Sequence, residues 1–247
     1  VHRRLANVKC YTFFRHPEKL LNEIKRYKPS VSSVKQARIL LVGPIGVGKS
    51  SFFNSINSVF HGHITSQAVT GTTLESSVTL KVQGFFEKPK SDFLCKVGVH
   101  CTLNSRNPEK LEDKIHCVVY VLDVSKMGLI PEKLIDKIRA VRKKVNEFAV
   151  PQVLLLTKVD QTCPPVEKDI QKVYHSVYLQ AKVRFAMLQD FARLGIPLLS
   201  VFPVKNYTRE VELQQNDDIL LLSALQKILH FADDYMRDMN DKSECSF

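Results

Sequence analysis

The sequence predicts an α/β protein: a doubly wound, mostly parallel sheet flanked by helices, with a short helical extension before it. Three observations predict this. Short apolar runs at Arg38–Val42, in "KIHCVVYVLDVS" and at Val153–Leu156 have the length and composition of buried strands. Stretches of helical period stand between and after them, as parallel strands joined by right-handed crossovers require. The first run leads directly into Gly43-Pro44-Ile45-Gly46-Val47-Gly48-Lys49-Ser50, the pattern G-x-x-x-x-G-K-S, whose place is between a strand and a helix.

Taken in order, residues 1–36 form a basic extension with one helical segment, "HPEKLLNEIKRYKP". Pro17 stands near its start, and Leu20, Leu21, Ile24 and Tyr27 fall on one face. "PSVSSVKQ" is a polar linker, the main domain is expected over 37–240, and 241–247 is a tail. "SSFFNSINSVFHG" reads as a helix beginning at Lys49, with Phe52, Phe53, Ile56, Val59 and Phe60 inward and Gly62 as its stop. "HITSQAVTGTTLESS" has loop composition, and "SVTLKVQGFF" alternates as a half-exposed strand does. Residues 87–113 are the least regular part.

"LIPEKLIDKIRAVRKKVNEF" predicts a helix with Pro131 near its first turn and Leu134, Ile135, Ile138, Val141, Val145 and Phe148 on one face. The third apolar strand runs into Thr157-Lys158-Val159-Asp160. Residues 166–194 are helical in period, with room for a break, and close at Gly195. "IPLLSVFPV" is a further strand leading into Lys205-Asn206-Tyr207, and "DDILLLSALQKILHFADDYMRDM" is a final amphipathic helix.

At 247 residues, 44% hydrophobic and 25% charged, the chain reads as a soluble globular protein with one generous core. No apolar run reaches the roughly 18 residues of a membrane span. The N-terminus lacks the apolar core of a signal peptide, and the absence of an initiator Met is what a piece of a longer chain would show. Six cysteines without C-x-x-C spacing, and no secretory signal, suit free thiols in a reducing compartment. The grouping of Cys95, His100, Cys101, His116 and Cys117 matches no common zinc spacing. The net charge of +11 is spread over several segments with no aromatic–basic motif, so nucleic acid is not an expected partner.

The glycines of the loop let the backbone turn its N–H groups inward around phosphates, and the helix N-terminus adds its partial positive charge. Gly43 to Ser51 are the phosphate-binding candidates. Lys49 reaches the β- and γ-phosphates, and Ser50 is placed to ligate Mg²⁺. Thr157-Lys158-x-Asp160 stands at the carboxyl end of a core strand, where the guanine-reading [NT]-K-x-D of GTPases lies. Asp160 can accept from guanine N1–H and its exocyclic amine. Lys158 either lies over the base or braces the phosphate loop. Asn206 follows the next strand, where a loop closes around the base. Guanine nucleotide, GTP or GDP, with Mg²⁺ is the expected ligand.

"ARILLVGPIGVGKSSFFNSINSVFHGHITSQAVTGT", "DKIHCVVYVLDVS", "LLLTKVD" and "DDILLLSALQKILHFADDYM" resemble the GTP-binding part of the interferon-induced protein 44 family over roughly residues 20–240. The resemblance implies a Ras-like G domain of the P-loop NTPase class, cytoplasmic and induced in innate, antiviral immune responses. It also implies that a preceding domain of longer relatives is missing. Protein partners are implied but not identified, and a homo-oligomer stays open.

The chain departs from that family where γ-phosphate sensing is concerned. Thr72 and Thr73 can serve as switch threonines. The expected L-C-D-T-x-G reads Leu94-Cys95-Lys96-Val97-Gly98, with a Lys in place of the acid and a shortened segment after it. An ammonium beside Mg²⁺ is unfavourable. Ile45 also crowds the place where an arginine finger enters. Slow or absent hydrolysis follows, and no catalytic residue is assigned. Two alternatives stand beside a GTP-binding switch. One is an ATP-using P-loop enzyme with Asp123 as a Walker-B-type acid, although a strand-end cap is the favoured reading of Asp123. The other is an interaction module working through the helix after Asp217.

Overall fold

Four strands make one sheet in the computed structural model, which describes residues 15–65, 110–186 and 200–244, less the side chains of 182–186. They are β1 (Ile39–Val42), β2 (Cys117–Asp123), β3 (Gln152–Thr157) and β4 (Val201–Pro203), ordered β1-β2-β3-β4. Every pair is parallel. Val42 stands opposite Tyr120, and Asp123 opposite Thr157. All seven residues of β2 are buried, which is why its sequence is apolar without alternation.

Six helices accompany the sheet among the described residues: α1 (Pro17–Lys25), α2 (Lys49–His61), α3 (Glu132–Glu147), α4 (Pro164–Lys168), α5 (Val177–Ala186) and α6 (Gln215–Glu244). One face of the sheet, with Leu41, Val119, Val121 and Leu155, packs on Ile24 of α1, Phe52 and Ile56 of α2, and Leu221, Leu225 and Ile228 of α6. The other face, with Val118, Tyr120, Leu154 and Leu156, packs on Ile138 of α3, Val166 of α4 and Leu179 of α5. The sheet is therefore wound on both sides, as the alternation of strands and helices predicts.

α2 starts and stops where its sequence says. Gly48 (φ 99°) and Gly62 (φ 76°) hold the left-handed conformations that begin and end it. Its interior is more polar than an apolar stripe suggests, because Asn54, Ser55, Asn57 and Ser58 are buried beside Phe52 and Ile56. Ser55 and Ser58 return their hydroxyls to the carbonyls of Ser51 and Asn54. Phe60, expected inward, is only partly buried.

α1 lies against the middle of α6. Leu20 and Ile24 are buried there, Arg15 donates to Gln226 Oε1 at 2.7 Å, and Gln226 donates to Glu23 at 2.7 Å. Asp233 accepts from the Tyr27 hydroxyl at 3.2 Å and from the Ser30 N–H at 2.8 Å.

One expectation changes. Phe148 does not join the apolar face of α3: the helix ends at Glu147, and Phe148 is 55% exposed, with Lys144 Nζ 5.5 Å from its ring centre. The break that the sequence left room for after 166 is present, although the helix around it begins at Pro164. α4 stops at Lys168, a 3-10 turn covers Ile170–Tyr174, and the Asp169 carboxylate caps that turn through the Gln171 N–H. The expected strand in 77–86, Thr72, Thr73, Cys95, Lys96, His100 and Cys101 lie outside the described residues.

His116 is buried with both ring nitrogens engaged. Nδ1 accepts the Arg38 N–H at 2.8 Å, which leaves the proton on Nε2, 2.9 Å from the Leu111 carbonyl. Cys117 is buried in β2, and burial pushes its thiol pKa far up. Among the described residues no helix is long and apolar enough to cross a membrane.

Candidate functional site

The loop Gly43–Gly48 leaves the carboxyl end of β1 and enters α2, at the sheet edge where open α/β folds bind ligands. Gly43 sits so close to β2 that a Cβ there would lie 2.3 Å from the Val121 carbonyl oxygen. Gly46 and Gly48 have φ of 76° and 99°. Lys49 folds back into the loop, 6% exposed, and donates to the carbonyls of Gly43 (2.8 Å) and Pro44 (2.7 Å). Burial lowers its pKa to about 8. The first intrahelical bond of α2 runs from Phe52 N–H to Gly48 O, so the N–H groups of Lys49, Ser50 and Ser51 precede the ladder. Those N–H groups, a lysine ammonium and the half-buried Ser50 hydroxyl are the donor set that suits a polyphosphate and its metal.

The segments expected to read the base reach this loop directly. Thr157 Oγ1 donates to the Val47 carbonyl at 2.6 Å, with Leu122 O next nearest at 3.1 Å. Lys158 Nζ donates to the Gly46 carbonyl at 3.1 Å. Asn206 Nδ2 donates to the Gly48 carbonyl at 3.1 Å. Three consecutive loop carbonyls are thus each held by a side chain from β3, the turn after it, or the loop after β4. Lys158 thus bonds to the loop Gly43–Gly48, and its left-handed backbone (φ 56°) lets it and Thr157 reach the same loop, where successive strand residues would point apart. Asn206 is 8% exposed, and its Oδ1 is buried with no hydrogen-bond partner among the described residues.

Asp160 opens the 3-10 turn Asp160–Thr162 after β3. Burial raises its pKa, against the pull of its own N–H and of Lys205. Lys205 pairs with Asp217 at 2.7 Å and Glu210 at 3.2 Å. Despite burial, the N–H groups of Thr208, Glu210 and Arg209, with Lys205, hold the Glu210 carboxyl at about 2. Tyr207 fastens the same loop to two helices. Its N–H donates to Ser55 Oγ of α2 at 2.8 Å, and its hydroxyl donates to Asp218 of α6 at 2.6 Å.

Asp123 takes the strand-end cap that its place in the sequence suggested, and its pair with Lys158 is the part that was not evident beforehand. Its carboxylate, 3% exposed, takes the Ser125 N–H at 2.9 Å and pairs with Lys158 Nζ at 2.7 Å. Burial opposes its ionisation, but the bonds from Lys158 and Ser125 bring its pKa below the usual carboxylate value. It caps the strand end, and the carboxylate that an ATP-using site would need is already neutralised by Lys158. An acid ending β2 in register with the residue before a Lys is the signal that could have suggested the pair. Ser55 could have been noticed as a polar break in an otherwise apolar helix face.

A parallel sheet wound on both sides, with a glycine loop and lysine between its first strand and helix, is a P-loop NTPase fold. No family model matches the chain. It is 34% identical to human interferon-induced protein 44-like over 265 residues, covering 91% of this chain and 58% of that protein. Human interferon-induced protein 44 is 34% identical over 262 residues, covering 89% of this chain and 57% of that protein. The mouse interferon-induced protein 44 is 31% identical, covering 89% and 60%. The chain is a homologue of these proteins and belongs to the interferon-induced protein 44 family, spanning less than two thirds of their length. Among solved structures it aligns with Toc33 from Arabidopsis thaliana, a complex with Mg²⁺ and GMPPNP, at a TM-score of 0.46 and 15% identity, covering 88% of this chain and 91% of that one.

Proposed function

We propose that the chain is a guanine-nucleotide-binding protein that holds GTP or GDP with Mg²⁺, hydrolyses GTP slowly or not at all, and acts by recruiting protein partners. Its domain would run over 37–240. In this reading Gly43 to Ser51 surround the phosphates, Lys49 meets the β- and γ-phosphates, and Ser50 ligates Mg²⁺, which would shield charge along the phosphate chain. Thr157, Lys158, Asp160 and Asn206 form the base end, with Asp160 accepting from the donor edge of guanine. The observation that carries the reading is the run of bonds from Thr157, Lys158 and Asn206 to the carbonyls of Val47, Gly46 and Gly48. It supports reading the phosphate loop and the guanine motif as one site. Lys96, in place of the acid that senses the γ-phosphate, supports weak hydrolysis. Kinship with interferon-induced proteins supports induction by interferon, a cytoplasmic location and a part in the antiviral response.

The test is calorimetric titration of the purified chain with GTP, GDP and ATP in Mg²⁺. Guanine nucleotides bind and ATP binds far more weakly, and Lys49→Ala removes the binding. Equal affinity for ATP would sink the guanine assignment. Single-turnover cleavage of GTP at the rate of an activated GTPase would overturn weak hydrolysis.

A further inference from the structure

We propose that Asp123 is a positioning residue that, acting through Lys158, holds the phosphate loop in its binding shape. The inference rests on the reading of Gly43–Ser50 as a phosphate site. Asp123 ends β2 opposite Thr157, and Lys158 is the next residue of the chain. The carboxylate is 2.7 Å from Lys158 Nζ, and the same ammonium is 3.1 Å from the Gly46 carbonyl. Gly46 is an exposed loop residue with φ 76°, and a Cβ added there would meet nothing within 4 Å. The donor to its carbonyl among the described residues is Lys158 Nζ. Lys158 itself is 28% exposed, so without a fixed counter-charge its long side chain would spread among solvent rotamers. The buried Asp123, itself fixed by Ser125, removes that freedom and aims the ammonium at the loop. A residue that meets neither base nor phosphate thereby sets the grip on phosphate.

The test compares the wild-type chain with Asp123→Asn, Lys158→Met, the double variant and Ser125→Ala. Affinities for Mg²⁺–GTP and for inorganic tripolyphosphate, which has no base, are measured by displacement of a fluorescent guanine nucleotide. Asp123→Asn is expected to weaken both ligands about tenfold while the GTP-to-ATP preference stays as in wild type. The double variant loses no more than Lys158→Met alone, because the two act as a unit. Ser125→Ala loses the hydroxyl bond to Asp123 Oδ1 but keeps the backbone N–H bond there and the ion pair on Oδ2, and so keeps tripolyphosphate affinity. Unchanged tripolyphosphate binding in Asp123→Asn would overturn the proposal, as would additive losses in the double variant. Amide hydrogen exchange across residues 43–48 of the ligand-free protein supplies an independent reading: Asp123→Asn accelerates it, and equal exchange counts against the proposal. If the wild type binds neither ligand, the nucleotide reading fails, and the exchange comparison still decides whether Asp123 positions the loop.

Discussion

At Gly43 there is no room for a side chain. A Cβ would meet the backbone of Val121 at 2.3 Å, and backbone in a buried central strand cannot give way cheaply. Gly43→Ala is expected to cost about 1–3 kcal/mol, read as a lower urea midpoint, with nucleotide affinity falling alongside. Lys49 gives a second prediction. Its ammonium, depressed to about 8 by burial, must be protonated to meet phosphate. Nucleotide affinity should therefore hold below pH 8 and weaken by about tenfold for each pH unit above it, measurable by titration at pH 7 and pH 9. His116 makes the third. Burial lowers its pKa, so the folded protein holds it neutral while the unfolded chain takes up a proton near pH 6.5. Its contribution to stability is present above about pH 6.5 and is lost as pH falls below that value, in urea titrations from pH 7.5 to 5.5. The loop motif was legible residue by residue because its chemistry is contiguous in sequence. The bond from Lys158 to Asp123 was not. It joins positions 35 apart, and only the β2–β3 register brings them together.

The elements themselves were largely written in the hydrophobic pattern. β2 and β3 announced themselves by unbroken apolar runs, and α2 by its terminal glycines. What the pattern could not say was which faces meet. The period of α1 marks Leu20 and Ile24 as inward, but nothing in it names α6 as the surface they bury against. Ile24→Ala, at 1% exposure, is expected to destabilise the protein by about 2–4 kcal/mol in a single cooperative transition that includes the sheet. A separate early transition for α1, seen by hydrogen exchange, would contradict that coupling. The broken stretch after 164 was hard to read for the opposite reason. Its apolar residues continue in helical period across Asp169, while that side chain's competing bond to the Gln171 N–H ends one helix and starts a turn.

For the whole molecule, the sheet works as a frame on which two distant loops close over one edge. In the proposed reading a nucleotide seated there would bind the folded form alone. Mg²⁺–GTP at 100 times its dissociation constant should add about 2.7 kcal/mol, seen as a Tm rise of about 5–10 °C that the Lys49→Ala variant lacks. The loop between β1 and α2 looks, from its six residues, like a self-contained device. Its carbonyls at 46, 47 and 48 are nevertheless held by residues more than a hundred positions away in the chain. Such a loop is not portable. Grafted with its own strand and helix into another scaffold, it would keep its signature and lose its shape, because its rigidity is on loan from the far side of the fold.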